Sequence, residues 1–427
     1  KNGYLERDYE YLTKVGFIKS EYENPRLNLV ISTIDKNKMY LIFFLLIPIF
    51  QPKIFTQYKV TTIIYIAGNL VELMMYIYFF YKKNIKFSKI SIYWSMYMLY
   101  YLLIMIANVN YGGILQWGYL FLMIVNFIFL CELSCPKYEN ELLCAISKLG
   151  QILLTINFIT LIIYKRGIIQ STFFNNTDGD YYFLGIKTQF TSMIFPTITS
   201  AIIYYINTEN KGAKIQLIFG ILVSCLNIFY KHISTAILGI FIIIGMYIFL
   251  KKFKIKYNYK ICIVIALLLQ IAIVFFNIQT FFGGFIQNVL HKDVTLSSRV
   301  YIWQNAKELL EKESVINLVF GNGKSKNNNF VLYSGSYWQP HNQMLAWIYN
   351  TGIVGTILIL YFFSILLREN ASENDKYQLL LIICFTELVL SVSEVYFDIA
   401  ICYVPFFLAY YCQKNNLYEK EEKKWIK

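Results

Sequence analysis

The chain has few charged residues: Lys, Arg, Asp and Glu make up only 15% of its 427 residues, whereas 57% are hydrophobic. In soluble domains the charged share is nearer to about a quarter, so this composition argues against a soluble protein and indicates a membrane protein. The net charge of +13 reflects an excess of Lys. Because Lys accumulates in the cytoplasmic loops of membrane proteins, this charge does not indicate a nucleic-acid partner.

Several motifs are also absent. The eight cysteines contain no CxxC pair, which argues against a disulfide framework or a zinc site. There is no P-loop or other nucleotide-binding motif, so we expect no energy input from ATP. No cofactor is expected. No internal repeat or matched pair of broken helices, the usual mark of a secondary transporter, is visible. A polar segment precedes the first apolar run, so no cleavable signal is expected.

The apolar runs predict an all-α integral membrane protein with about 12 transmembrane helices, since each crossing needs about 20 apolar residues. The predicted parts are a cytoplasmic N-terminal segment (1–37), helices 1–9 (38–278), an extracytoplasmic catalytic loop (279–341), helices 10–12 (342–412) and a basic cytoplasmic tail (413–427). Lys-rich stretches at 82–86 and 251–256 follow the positive-inside pattern. They predict a multi-pass protein of the cell membrane with both termini in the cytoplasm.

The large outer loop between helices 9 and 10 contains a predicted amphipathic helix. Apolar residues recur at three- and four-residue steps between Ser298 and Ser314, and charged residues lie on the other side. Ser297 or Ser298 is the expected N-cap. We therefore expect this helix to lie flat on the membrane with its apolar face down.

Arginine is scarce in this chain: only five of the 39 basic residues are Arg. Two of them, Arg166 and Arg299, are predicted on the outer face. An Arg at the membrane surface of a Lys-rich chain favours bidentate contact with phosphate, which Lys makes poorly. Arg299 also lies in the first turn of the amphipathic helix, where free backbone amides and the helix dipole favour anions. A helix-capping or snorkelling Arg is the structural alternative.

The three histidines of the chain all fall on the predicted outer face. His341 is the strongest candidate among them, because it follows Pro340 and precedes Asn342 where helix 10 begins. Histidine changes its charge near neutral pH, which suits the removal of a proton from a hydroxyl group. A helix-capping or interfacial His is the alternative.

Six further residues are candidate substrate-binding groups: Lys231, His232, Trp303, Asn342, Glu394 and Asp398. Lys231 and His232 lie in the tight hairpin between helices 7 and 8, where a plain turn is the alternative. Glu394 and Asp398, one helical turn apart at the outer ends of helices 11 and 12, either act as a base, orient a sugar or form a solvated turn. Trp303 either stacks on a sugar ring or, as the favoured interpretation, packs in the core or the membrane belt.

In their order and spacing, these elements resemble the O-antigen ligase/polymerase superfamily of bacterial polysaccharide enzymes. That family is helical and membrane-embedded, with one large outer loop in the C-terminal third. The elements that carry the resemblance are Arg299 to Trp303, Gly321 to Gly323, His341-Asn342 and Gly352-Ile353-Val354-Gly355.

The resemblance implies glycan transfer from an undecaprenyl-pyrophosphate donor on the outer leaflet, without nucleotide sugar or metal. It implies that Arg299 binds the pyrophosphate and that His341 deprotonates or orients the acceptor hydroxyl. Family members often carry another Arg at the outer hairpin where this chain has Lys231-His232. The second phosphate ligand is therefore left open between Lys231 and Arg166.

Three functions follow from these observations. The first is a polymerase of undecaprenyl-pyrophosphate-linked oligosaccharide repeat units in capsule or O-antigen synthesis, a metal-independent membrane glycosyltransferase. The second is a ligase-like transferase of glycan to lipid or protein. The third is a lipid-linked oligosaccharide flippase or transporter, which should concentrate its cations within the spans instead of in one outer loop. The expected partners are the lipid-linked donor and acceptor, the lipid bilayer and other polysaccharide-assembly membrane proteins.

Overall fold

The fold is that of a computed structural model, which describes residues 37–109, 111–170, 180–253, 258–289, 291, 293, 295–296, 298–324, 330–331, 337–368 and 375–412. The predicted cytoplasmic tail and all but the last residue of the predicted N-terminal segment lie outside the described residues. So does Ser297, one of the two expected N-caps.

The described part of the chain is almost entirely helical. Its helices are α1 (Asn37–Leu46), α2 (Lys59–Lys82), α3 (Lys89–Ala107), α4 (Ile114–Ile163), α5 (Thr191–Thr208), α6 (Lys211–Lys231), α7 (Ser234–Phe253), α8 (Tyr259–Phe276), α9 (Gly283–Asn288), α10 (Arg299–Lys312), α11 (Val315–Phe320), α12 (Gln343–Arg368), α13 (Asp375–Leu390) and α14 (Ala400–Cys412). Short 3₁₀ turns lie at Lys53–Gln57, Tyr111–Gly113, Lys187–Phe190 and Ile278–Phe282. Strands β1 (Phe330–Val331) and β2 (Tyr337–Trp338) form a small antiparallel pair.

Seven of these helices are long and apolar enough to cross a membrane: α2, α3, α4, α6, α7, α8 and α12. Their outward faces carry exposed apolar side chains, such as Ile63 (65% exposed) and Phe241 (51% exposed). A large exposed apolar surface is unfavourable in water but is the normal condition of a helix in lipid. The chain is therefore a multi-pass membrane protein, as predicted.

The longest helix, α4, is too long for a single crossing. Fifty residues would span about 75 Å as a straight helix, whereas a bilayer core is about 30 Å thick. The helix is interrupted at Tyr138, whose φ of −132° and ψ of 36° are not helical, two residues after Pro136. Proline removes a backbone hydrogen bond and bends a helix. Each arm of α4, before and after this kink, is long enough for one crossing.

A buried pair of amide side chains connects the helix bundle to the segment before α5. The Asn157 side chain in α4 donates to the Asn227 side chain in α6 at 2.8 Å, and both are fully buried. Asn157 also accepts a hydrogen bond from the backbone amide of Leu184 at 2.9 Å. Such polar contacts stabilise helix association in membranes, and this one holds the segment before α5 against the bundle.

The turn formed by Gly321 and Gly323 packs against a kink in α12. Gly321 (φ +96°) and Gly352 (φ +68°) have left-handed backbones, and a Cβ on Gly321 would lie 2.6 Å from the Gly352 nitrogen. The amide of Gly323 donates to the carbonyl of Asn350 at 2.8 Å. The side chain of Asn108, at the end of α3, donates to the carbonyl of Gly321 at 3.1 Å. Only glycine fits where two such backbones pass each other, so these glycines fix the position of the residues that follow.

Helix α10 is the predicted amphipathic helix, but its apolar face is covered by protein. Trp303 and Ala306 are fully buried and belong to a small core with Val274 of α8 and Leu345 of α12. The predicted placement of this face on lipid is therefore wrong for these residues. Because the helix packs across the ends of α8 and α12, its first turn is held against the bundle.

Candidate active site

The candidate site is built around residues 391–399, which join α13 to α14. Glu394 and Asp398 were predicted to lie one helical turn apart, but the chain there forms turns and bends instead of a helix. The amide of Ile399 donates to the carbonyl of Tyr396 at 2.9 Å, and the amide of Phe397 donates to the Gln343 side chain at 2.8 Å. The first bond closes a turn within the connection, and the second anchors the connection to the start of α12.

Glu394 brings the two principal candidate residues together. Nη2 of Arg299 donates to Oε1 of Glu394 in an ion pair. On the other side of the carboxylate, Nδ1 of His341 lies 3.3 Å from Oε2. The side chains of Arg299, Glu394 and His341 are 14%, 12% and 22% exposed. One partly buried carboxylate thus holds both the predicted phosphate ligand and the predicted base.

The charge of Glu394 is stabilised by these neighbours. Burial by itself would raise the pKa of the Glu394 carboxyl, but the positive charge of Arg299 and the hydrogen bond from His341 lower it below its ordinary value. Opposite charges and hydrogen bonds to the ionised form both favour ionisation. Glu394 is therefore an anion at neutral pH, suited to orienting two cationic or proton-bearing groups.

Arg299 is the first residue of α10, as predicted, but the expected cap is absent. Ser298 stands at the N-cap position with a left-handed backbone (φ +67°), and its side chain makes no capping hydrogen bond. Instead, its backbone amide donates to the Thr295 hydroxyl at 3.0 Å. Nη1 of Arg299 donates to the carbonyl of Leu296 at 3.2 Å, whereas its buried Nε has no hydrogen-bond partner. The guanidinium therefore retains donor capacity for an anion.

His341 is held at the entrance of α12 by its neighbour Asn342. The Asn342 side chain accepts from the backbone amide of Leu345 at 2.9 Å, an N-capping bond, and donates to the carbonyl of Val392 at 2.9 Å. His341 itself has a left-handed backbone (φ +45°). The helix start therefore fixes this histidine, as predicted. Asn342 is fully buried, so its observed role is to cap α12 and to hold the 391–399 connection.

Trp303, predicted either to stack on a sugar or to pack in the core, is 0% exposed. It packs with Val274, Leu345 and Val392. A ring with no exposed face cannot stack on a substrate, so its burial agrees with the core interpretation.

A second ion pair, which the sequence did not predict, lies on the same connection. Nζ of Lys324 donates to Oδ2 of Asp398 at 2.5 Å, with the two side chains 18% and 25% exposed. Lys53, in the 3₁₀ turn after α1, interacts electrostatically with both of these residues. A signal for Lys53 existed in the sequence, since a Lys within an otherwise apolar stretch is costly unless it faces a polar interior. Lys324 follows the Gly321–Gly323 turn but has no distinctive signal of its own.

Lys231, one of the two predicted second phosphate ligands, makes contacts in a neighbouring region. Its Nζ donates to the hydroxyl of Tyr182, lies 4.4 Å from the centre of that ring, and donates to the carbonyl of Lys165 at 3.2 Å. Arg166 is exposed and interacts electrostatically with the same tyrosine. His232 is exposed, with its ring centre 6.2 Å from that of His291. These contacts stabilise the hairpin between α6 and α7 against the segment around residue 182.

Tyr396 connects the start of α5 to the site. Its hydroxyl accepts a hydrogen bond from Thr191 at 3.1 Å. It also interacts with the charge of Glu394. The start of α5 therefore borders the site through Tyr396.

Among the residues that the structure describes, no group of three or more His, Cys, Asp or Glu side chains is placed to hold a metal ion. The groups available for chemistry in this region are thus the cations, carboxylates and histidine described above. Together they can bind an oxyanion and move a proton.

Part of the chain matches a known protein family. The family described as O-antigen ligase matches residues 219–360, a segment that contains Arg299 and His341 but ends before Glu394 and Asp398. No curated protein matches the chain significantly. Residues 219–360 are therefore similar to the O-antigen ligase family, which confirms the resemblance of the chain to the O-antigen ligase/polymerase superfamily.

Proposed function

We propose that the protein is a polymerase of undecaprenyl-pyrophosphate-linked repeat units in capsule or O-antigen synthesis, working on the outer face of the cell membrane. The observation that carries this proposal is the contact of Arg299 and His341 with one carboxylate, that of Glu394. A phosphate-binding guanidinium beside a histidine is what transfer of a glycan from a lipid diphosphate to a hydroxyl group requires. The O-antigen ligase family, whose members are membrane glycosyltransferase-like enzymes, supports this chemistry.

In the proposed reaction, the acceptor hydroxyl oxygen attacks the anomeric carbon of the donor sugar. A new glycosidic bond forms, the bond between that carbon and the diphosphate oxygen breaks, and undecaprenyl diphosphate leaves. Arg299 stabilises the negative charge that grows on the leaving diphosphate. Such electrostatic stabilisation is usually the largest single contribution to catalysis. The driving force comes from the diphosphate leaving group, so no ATP is consumed.

The proton of the acceptor hydroxyl passes to His341. Because Nδ1 of this residue faces Glu394, the acceptor proton is assigned to Nε2. The carboxylate of Glu394 stabilises the imidazolium that results and keeps the ring oriented. Glu394 thus acts as a positioning residue for both partners of the reaction.

The membrane arrangement proposed for this function has twelve spans. The seven long helices, the division of α4 into two arms and the shorter apolar elements α1, α5, α13 and α14 together provide twelve crossings. With both termini in the cytoplasm, the 279–341 loop and the 391–399 connection lie on the outer side. The Lys-rich stretches at 82–86 and 251–256 then lie inside, in agreement with the positive-inside rule.

A second candidate is transfer of a finished glycan to a lipid or protein acceptor, which the description of the matching family favours. The two reactions share the donor and the leaving group and differ in the acceptor. A polymerase should extend lipid-linked repeat units into a ladder of products, whereas a ligase should leave their length unchanged and move them to another carrier.

The test is reconstitution of the full chain in liposomes with a lipid-linked repeat unit as both donor and acceptor. We expect a ladder of polymer from the wild-type chain and no ladder from the Arg299→Gln variant. The Lys312→Gln variant, which changes an exposed residue at the other end of α10, is the matched control and should behave as the wild type. A normal ladder from Arg299→Gln would overturn the assignment.

A further inference from the structure

Two lysines beside the site have no part in the chemistry proposed above. Glu394 pairs with Arg299, and four residues later Asp398 pairs with Lys324, with 2.5 Å between Nζ and Oδ2. Lys53, from the far end of the chain, interacts electrostatically with both Lys324 and Asp398. The 391–399 connection therefore carries two cation–carboxylate clusters side by side.

The second cluster rests on fixed backbone. A Cβ on Gly113 would lie 1.9 Å from the carbonyl oxygen of Lys324, and a Cβ on Gly323 would lie 2.9 Å from Cα of Met105. The backbone around Lys324 is thus packed tightly between the ends of α3 and α4. Such packing gives the flexible lysine side chain a defined starting point, as a preorganised binding group needs.

Lys53 is supported in the same way by the segment before α5. A Cβ on Gly185 would lie 2.9 Å from Cβ of Lys53. The next amide, that of Ile54, donates to the carbonyl of Phe183 at 3.2 Å. Two distant parts of the chain therefore place lysines near Asp398: Lys324 is its ion-pair partner, and Lys53 interacts with its charge.

Lys53 lacks a compensating anion in this cluster. Asp398 is paired with Lys324, which is only 18% exposed, and burial, with a smaller contribution from the charge of Lys324, lowers the pKa of the Lys53 amine. Removing a charged amine from water is costly unless an anion compensates it. An oxyanion brought by the substrate would stabilise the charged form of both amines.

We propose that Lys324 and Lys53 form a second oxyanion-binding site, which takes the second phosphate of a diphosphate whose first phosphate is bound by Arg299. This inference rests on the proposed function and assigns the second phosphate ligand, for which Lys231 and Arg166 were the sequence-based candidates. Lys231 instead donates to Tyr182 and to the carbonyl of Lys165. Asp398 acts as an internal counter-ion, which Lys324 leaves when the phosphate binds.

The two carboxylates lie close to each other along the chain. Four residues of fully extended chain span at most about 14 Å. The separation of Glu394 and Asp398 is shorter, because the amide of Ile399 folds back to the carbonyl of Tyr396. Lysine places a compact charge on a flexible stem, whereas arginine provides a fixed fork. Lysine therefore suits a mobile contact, and arginine a fixed contact, with the same ligand.

The test measures binding of inorganic pyrophosphate, orthophosphate and glucuronate to the full chain purified in detergent. Lys324→Met and Lys53→Met should each weaken pyrophosphate binding about tenfold or more, since charge-assisted hydrogen bonds are among the stronger ones. Orthophosphate, held by Arg299, should bind almost as before. The matched control is Lys307→Met, which removes a lysine of α10 that lies over Phe275 and donates to the carbonyl of Val274.

One variant should change affinity in the opposite direction. Asp398→Asn removes the internal counter-ion and frees Lys324, so pyrophosphate should bind several-fold more tightly, an effect that damage to the fold would not produce. In the double variant Lys324→Met/Asp398→Asn, which removes both partners of the ion pair, this gain should disappear. Asp398→Asn binding no tighter than wild type, or both lysine variants binding like Lys307→Met, would overturn the inference.

A third outcome separates a diphosphate from an acidic sugar as the source of the oxyanion. Loss of glucuronate binding with unchanged pyrophosphate binding would assign the lysines to an acidic sugar and would also overturn the phosphate assignment. The proposed function has its own readout: Arg299→Gln should weaken both pyrophosphate and orthophosphate. If it weakens neither, the proposed function fails, whereas failure of the lysine variants alone removes only this inference.

Discussion

The guanidinium of Arg299 donates to the carboxylate of Glu394 across a sequence separation of 95 residues. Arg299 opens helix α10 in the large loop, whereas Glu394 lies in a turn between two apolar helices near the C-terminus. The same carboxylate also contacts His341. This relationship joins the proposed anion-binding group and the proposed proton acceptor in one cluster, and it makes Glu394 the residue whose substitution is most informative.

We expect Glu394→Gln to reduce polymer formation by about tenfold to a hundredfold. The substitution keeps the shape of the side chain but removes the charge that orients His341 and stabilises its protonated form, and general-base catalysis typically contributes 10²–10⁴-fold. The measurement is the rate of polymer formation in liposomes at several pH values. A positioning role predicts a shifted pH profile with donor binding largely retained. An unchanged rate and profile would show that the carboxylate has only a structural role.

The same carboxylate gives a prediction for stability against pH. The pKa of Glu394 is lowered in the folded protein from its ordinary value of 4.5. A group with a lowered pKa stabilises the fold fully above its unfolded pKa, and this contribution is lost as the pH falls through the folded value. The melting temperature of the wild-type chain should therefore fall in acid, and that of Glu394→Gln should fall less steeply over the same range. Equal acid sensitivity of the two would contradict this assignment.

Substitution of His341 should separate proton transfer from positioning. His341→Ala should leave an inserted, folded protein that binds the lipid-linked donor but makes little or no polymer. His341→Gln can form a hydrogen bond but cannot act as a base, so it should be equally inactive if His341 removes the proton. Near-normal product from Gln, but not from Ala, would instead assign His341 to orientation of the acceptor. Donor retention, measured by co-purification of the lipid, checks that binding is intact.

Local sequence patterns predicted the parts of the site that depend on a helix start. The positions of Arg299, in the first turn of its helix, and of His341, at the entrance of the next span, were both predicted correctly. Helix-start signals and apolar runs are local features of the sequence, which is why these positions could be predicted. Their meeting at Glu394 could not be predicted, since it depends on how α10, α12 and the 391–399 connection pack in three dimensions. Periodicity also suggested a lipid-facing side for α10, because a protein surface and a membrane favour the same apolar face.

The predictions were least accurate where charges interact over long sequence distances. Asp398 was recognised as a candidate, but its partner Lys324 was not, because an ordinary lysine after a glycine turn has no distinctive pattern. Lys231 occupies the hairpin in which an arginine was expected, yet its amine contacts Tyr182. Composition and hydropathy predicted the membrane class and the helices. Which charged residues pair with each other could be seen only in the folded structure.

The glycine turn before Lys324 should be essential to the fold of the site. Gly321→Ala would place a Cβ 2.5 Å from the carbonyl oxygen of Asn350 in a left-handed backbone. We expect a loss of about 1–3 kcal/mol or more in stability, since strained backbone and steric overlap add together. The control is Gly118→Ala, where a Cβ meets nothing within 4 Å; in a helix this change should be neutral or slightly stabilising. The measurement is thermal unfolding in detergent, and equal melting temperatures for the two variants would contradict the packing argument.

The sidedness of the site can be tested by cysteine labelling in intact cells. The twelve-span arrangement places Lys83, at the end of α2, inside the cell and Lys312, at the end of α10, outside; both side chains are exposed. A membrane-impermeant maleimide should therefore label Lys312→Cys in intact cells and Lys83→Cys only after the membrane is opened. The background is low because seven of the eight native cysteines are buried, with Cys225 half-buried, and Cys225→Ala serves as the parent chain for both variants. Labelling of position 83 but not of position 312 in intact cells would invert the topology. It would then place Arg299, Glu394 and His341 on the cytoplasmic side, where the proposed reaction with an outer-leaflet donor could not take place.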